Sequence, residues 1–185
     1  CPWCAIGHRR FAAGLAAYAA AGGDSASISI VPRAFQLDPT APSAPTPMSE
    51  VYGAKFGGPE RAAQLIAQVT EAAAEVGWDF HLDRALRANT YDAHRLVALA
   101  ATLGDGASPG RALAVEARLM RAYFSDGLDV ADRSVLLECA GSVGFDADTV
   151  ARALDAGGGA THVQADLAEA AELGVTAVPT FVFGA

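Results

Sequence analysis

The chain has little cysteine, little positive charge and no long apolar run, and each shortage removes a class of answer. Three cysteines in 185 residues, Cys1, Cys4 and Cys139, cannot build the disulfide framework that holds small secreted domains together. Lys and Arg number 13 against 21 Asp and Glu, a formal net charge of -8. Phosphate binding needs a concentrated basic surface, so nucleic acid is excluded as a partner and the charge reads as a solubility feature. Hydrophobic residues make up 52% of the chain, but much of that count is alanine, and no segment is apolar enough for long enough to span a bilayer. No internal repeat of useful period appears.

A second C-x-x-C is also missing. His8, His81, His94 and His162 show no paired ligand spacing, so the ligand count speaks against Cys1 and Cys4 being half of a zinc site, and no metal is expected. Cys139, inside the apolar run 135–140, reads as a buried small hydrophobe.

What is present divides into three stretches. Pro2 followed by Ile6, Phe11, Leu15 and Tyr18 at helical spacing predicts a helix over 3–20, stopped by Gly22 and Gly23, with Cys1 at its N-cap. Alternation through Ile28 and Ile30 predicts a strand over 27–35, brought to an edge or an early end by Pro32. The prolines between 39 and 47 mark a linker. Helical patterns then follow at 60–76, 90–103, 111–124, 132–143 and 146–156, most of them closed by a glycine. Gly157, Gly158 and Gly159 read as a flexible junction, 161–173 as one more helix, and 175–183 as a loop feeding a strand from about Thr180. The domain reading is therefore 1–38, a linker and inserted helical domain over 39–158, and a closing part over 159–185. A strand ahead of Cys1 would complete a βαβ unit, and it is expected to lie outside the given sequence together with any targeting segment.

The chemistry sits at the first turn. A sulfur at an N-cap faces free backbone N–H groups, here those of Trp3 and Cys4, and the positive end of the helix dipole, both of which favour thiolate. Cys1 is accordingly the nucleophile candidate. Cys4 is one turn along on the same face, close enough to close a disulfide and to resolve a mixed one. Pro2 fixes the first helical position without loss of a hydrogen bond. Trp3 offers a flat apolar surface for substrate contact or for packing, and His8, Arg9 and Arg10 read as a solvated face. Late in the chain, Val178 and Pro179 stand at a loop-to-strand junction. A cis bond there would turn the Val178 backbone toward the cysteine pair, free to accept an extended peptide.

Cys1-Pro2-Trp3-Cys4 opening a helix, with Val178-Pro179-Thr180-Phe181 far downstream and a helical block between, resembles the DsbA family of the thioredoxin superfamily. The segments Ile6-Gly7, Arg9-Arg10-Phe11, 35–39, 89–96 and Ala122-Tyr123-Phe124 are similar to its FrnE-like branch, the polyketide-biosynthesis dithiol-disulfide isomerases. The resemblance implies an α/β class, a thioredoxin fold interrupted by an inserted all-helical domain. It also implies a redox-active Cys1, a resolving Cys4, a cis-proline at Pro179, and Asn89 and Thr90 near the site, which the residues alone read as a helix N-cap. Departures are the missing flanking elements, Ala177 where glycine is common, and the lack of a second cysteine pair.

The activity implied is exchange of the Cys1–Cys4 dithiol or disulfide with a protein or small-molecule thiol or disulfide substrate. No cofactor is expected beyond glutathione as a redox partner. Both the sparse cysteines and the likeness lean to the cytoplasm, and the helical insertion could pair two copies as a homodimer. The rival is a glutathione-dependent enzyme of the 2-hydroxychromene-2-carboxylate isomerase or kappa-class transferase type. Those generally carry serine at the first position, whereas two cysteines favour redox exchange.

Overall fold

The computed structural model describes residues 1–42, 44–104 and 108–184, so Ser43 of the proline-rich linker lies outside it. Helix α1 spans Pro2–Ala20, with Cys1 as its N-cap and Pro2 in the first turn, where a missing N–H costs nothing. A 3-10 turn follows at Ser25–Ser27. Two residues, Thr46–Pro47 (β1), pair antiparallel with Leu86–Arg87 (β2), Thr46 opposite Arg87. Between them lie α2 (Met48–Phe56) and α3 (Pro59–Ala74). Then come α4 (Tyr91–Thr102), α5 (Pro109–Phe124), α6 (Arg133–Ser142), α7 (Ala147–Asp155) and α8 (Ala160–Glu172).

Side chains set these boundaries. Ser108 Oγ accepts from the Arg111 N–H, Asp132 from that of Ser134, and Asp146 from that of Thr149, so α5, α6 and α7 each start on an N-cap oxygen. Two apolar clusters result. One joins α4 to α7 around Leu96, Val115, Leu136, Cys139 and Val150, all nearly or fully buried. The other gathers Ala5 and Ile6 of α1 with Ala73, Phe80, Leu82 and Phe124, so the first turns of α1 are seated on α3 and the end of α5. Trp78 fixes that seat by donating from Nε1 to the Ala5 carbonyl at 3.1 Å.

Three expectations change. Helix α2 carries no pattern strong enough to announce it: it buries no residue fully and has Gly53 in its interior. The strands expected over 27–35 and from Thr180 are not laddered, and the described sheet is only the pair β1–β2. A strand is defined by its partner, and over 27–35 two backbone groups are not available to one: Pro32 has no N–H, and the Ala34 N–H goes to Asp166 Oδ2 at 2.8 Å. Finally, the glycines at 157–159 form a tight junction. A Cβ on Gly159 would stand 2.4 Å from the Arg95 carbonyl oxygen and one on Gly158 2.6 Å from that of Ala153, while Arg95 Nε donates to the Gly158 carbonyl at 3.0 Å. Glycine is present there for close approach and, at Gly159, for a φ of 79°.

Helix α8 holds the segment after the 3-10 turn. Asp166, nearly buried, accepts from Ala34 N–H and from Arg33 Nη1 at 2.9 Å, and Arg33 Nη2 also reaches Glu169 at 2.8 Å. Among the described residues, no helix is long and apolar enough to cross a membrane.

Candidate active site

The tip of α1 and the segment around Pro179 meet. Cys1 is exposed, Cys4 partly shielded, and both are free thiols. The Val178–Pro179 bond is cis, and Cys1 Sγ lies 3.6 Å from the Val178 carbonyl oxygen. One turn beyond Cys4, Gly7 leaves room for the proline: a Cβ built there would stand 3.0 Å from Pro179 Cγ and 3.7 Å from Phe181 Cζ. Phe11 continues the contact, its ring stacked on Phe181 with centroids 5.3 Å apart. Trp3 is 45% exposed beside the sulfurs.

The sulfur does not face the helix N–H groups as the capping pattern predicts. Cys1 makes no side-chain cap bond; its carbonyl accepts from Cys4 N–H at 3.1 Å, and its thiol donates toward Val178. A protonated thiol needs an acceptor and a carbonyl supplies one, so this contact belongs to the thiol state. On ionisation the same carbonyl repels the sulfur, and the helix N–H groups become its better neighbours.

Cys4 is held in the opposite condition. Burial pushes its thiol up, and the carboxylate of Glu116 adds to that. Glu116 comes from α5, and burial pushes it up to about 7. Its Oε2 is sealed from solvent without a hydrogen-bond partner and lies 3.6 Å from His8 Nδ1. His8 is itself lowered by burial. The charged segment 8–10 is thus not uniformly solvated: Arg9 is exposed over the Trp78 ring and Arg10 reaches Glu75 at 3.4 Å, but His8 turns inward to α5. Glu116 was legible only as a carboxylate at helical spacing with Ala112, Met120 and Tyr123, a charge on an otherwise apolar stripe.

Asn89 and Thr90 stand at the start of α4, and the hydrogen bonds of Asn89 run within that junction. Asn89 Oδ1 accepts from Tyr91 N–H at 2.9 Å and from Gln36 at 3.4 Å, while its Nδ2 donates to the Ala41 carbonyl at 3.1 Å. It is a cap and a tie to the linker. Thr90 occupies the formal N-cap position but contributes no side-chain bond. Neither bonds to Cys1 or Cys4 among the described residues. Asn89 lines a surface cavity with Gln36, Pro39, Tyr91, Asp92 and Ala131. Cys139 is fully buried in the α4–α7 core.

The arrangement can do one kind of chemistry directly. An accessible sulfur with a shielded sulfur one turn behind it can form and release a covalent link to another sulfur. Comparison with known proteins agrees with that reading of the geometry. The DSBA-like thioredoxin domain family matches residues 1–185. The crystal structure of a probable DsbA oxidoreductase from Streptomyces coelicolor superposes with a TM-score of 0.86 at 33% sequence identity, over 97% of this chain and 74% of that one. No curated protein matches the chain.

Proposed function

The chain belongs to the DSBA-like thioredoxin domain family, and from that premise we propose that it exchanges its Cys1–Cys4 dithiol or disulfide with substrate sulfur through a mixed disulfide on Cys1. The fold is the thioredoxin fold of that family, with the helical elements interposed. The observation that carries the reading is the meeting of exposed Cys1 with Val178 at 3.6 Å, Cys4 standing shielded behind it.

In the reducing direction, the Cys1 thiolate attacks one sulfur of a substrate disulfide, forming the Cys1–substrate bond and expelling the other sulfur as thiolate. Cys4 then loses its proton and attacks Cys1 Sγ. The Cys1–Cys4 bond forms, the remaining substrate thiolate leaves, and the substrate takes up two electrons and two protons. The oxidising direction is the same path reversed. Pro2, Trp3, Val178 and Pro179 border the sulfur and form the substrate face; an extended peptide could pair with the Val178 backbone. Asn89 and Thr90, at the start of α4, belong to the proposed substrate face on the motif likeness, and Asn89 also caps that helix and ties it to the linker.

Finer points of the proposal rest on the motif likeness. We assign the chain to the FrnE-like branch, with isomerase activity on a protein or small-molecule substrate in the cytoplasm, glutathione as redox partner, and residues 39–158 as the inserted unit. A reduction potential measured against glutathione decides the direction. The mechanism is tested with Cys1→Ser and Cys4→Ser, each presented with a disulfide substrate. Cys4→Ser should accumulate the covalent adduct and Cys1→Ser should not, because only the former keeps the nucleophile while losing the resolving thiol. Equal, negligible trapping in both would remove the mechanism, and turnover of a glutathione conjugate without thiol exchange would favour a transferase.

A further inference from the structure

Three contacts follow one another down α1. Cys4, Gly7 and Phe11 are spaced three and then four residues apart, so they share a face of the helix. The Val178 carbonyl stands by Cys1 Sγ at the tip, the Pro179 ring lies against Gly7, and the Phe181 ring is stacked on Phe11 with planes 14° from parallel. The other ties of the segment 175–184 are few. The Val175 N–H donates to the Ala170 carbonyl at 2.8 Å, which fixes its start, and Thr180 Oγ1 donates to the Ala177 carbonyl at 2.7 Å, which shapes its turn without attaching it to another element. No ladder holds it among the described residues, and it adds no member to either buried cluster. Phe11 is equally outside those clusters, half-buried where Ala12, Ala13 and Gly14 beside it are exposed. Ten residues of helix, about 15 Å, separate it from Cys1, so it does not touch the reacting sulfur.

We propose that Phe11 is a positioning residue for peptide substrates: by clamping Phe181 it holds the Val178 backbone beside Cys1 Sγ, where an extended chain can pair with it. The inference rests on the thiol-exchange reading above and adds to that site a determinant that favours peptide over small disulfides. A peptide has to reach the sulfur and the Val178 backbone at once, so the distance between those two must be fixed before it binds. The Pro179 ring against Gly7 limits how closely the segment approaches α1 but leaves it free to slide along the helix. The stacked pair removes that freedom, because a slip along the axis pulls one ring off the other. A small disulfide engages the sulfur alone and is indifferent to where Val178 stands.

The test uses the full chain, as wild type, Phe11→Ala and Phe11→Tyr, with intact mass to follow adduct formation on Cys1. The two probes are a disulfide-linked pair of short extended peptides and hydroxyethyl disulfide, which has no peptide backbone. In Phe11→Ala the ratio of the peptide rate to the hydroxyethyl disulfide rate should fall by about threefold to tenfold, the span that one aromatic pair supplies. Phe11→Tyr keeps the ring and should restore the ratio. A merely structural role slows both probes alike, so an unaltered ratio in Phe11→Ala would overturn the proposal. Should Phe11→Ala fail to fold, Phe181→Ala breaks the stack from its other side, on a residue outside the buried clusters, and the same ratio decides. Where both fold, the double variant should lower the ratio no further than either single one, and additive losses would refute the clamp. Absence of any Cys1 adduct in wild type with either probe would instead overturn the exchange reading and this inference with it.

Discussion

Gly7 shows how much one missing methyl can matter at a site. Its position in α1, between the cysteines and Phe11, is where the Pro179 ring and Phe181 come closest to the helix. In Gly7→Ala the new Cβ meets Pro179 Cγ at 3.0 Å, so the proline segment has to retreat by a few tenths of an ångström. The helix itself gains, since alanine is favoured over glycine in a helix interior by up to about 1 kcal/mol. The two effects separate stability from function. Gly7→Ala is expected to leave the thermal midpoint unchanged or slightly raised while slowing mixed-disulfide formation several-fold. A differential melting curve and a single-turnover exchange rate read the two independently; a faster exchange rate would refute the packing argument.

At the scale of elements, the junction into α8 is the most constrained place in the chain. Gly159→Ala forces a left-handed backbone on alanine and drives its Cβ into the Arg95 carbonyl 2.4 Å away. A loss of about 2 kcal/mol or more is expected, visible as a lower urea midpoint at unchanged slope. The same elements show what a sequence can and cannot disclose. Helices α4 to α8 were legible to within about two residues because local chemistry sets their ends: Ser108, Asp132 and Asp146 begin three of them, and glycines follow their ends. The cysteine pair was legible for the same reason, its spacing being a property of one helical turn. Helix α2 was not, since no apolar stripe marks it, and neither was the absence of a ladder at 27–35, because pairing depends on a distant partner. Gly158 and Gly159 were misread as loose because close packing and flexibility use the same residue. Glu116 stayed hidden because its meaning arises only when α5 is laid beside α1.

For the whole molecule, two buried groups oppose each other in their response to acid. His94 is lowered from 6.5 to about 4 by burial, with the Phe35 backbone opposing. The unfolded chain therefore binds the proton first, and His94 makes stability rise with pH between about 4 and 6.5. Glu116 is raised from 4.5 to about 7, so the folded chain binds its proton first and stability falls as pH rises over that interval. The two slopes largely cancel from about 4.5 to 6.5, and the wild type should show a plateau there. Glu116→Gln should uncover a rise in urea midpoint across the same window, and His94→Gln a fall. Matching slopes in all three proteins would refute the assignment. One property of the site concerns its assembly and loss. Cys1 and Val178 are 177 residues apart in the chain, and neither belongs to the fully buried clusters that hold the helices together. Closing so long a loop is entropically costly, and a seam between distant segments is the kind of contact that opens first under mild denaturation. Inactivation can thus run ahead of unfolding, with competence lost at the margin while the bulk of the helical scaffold endures.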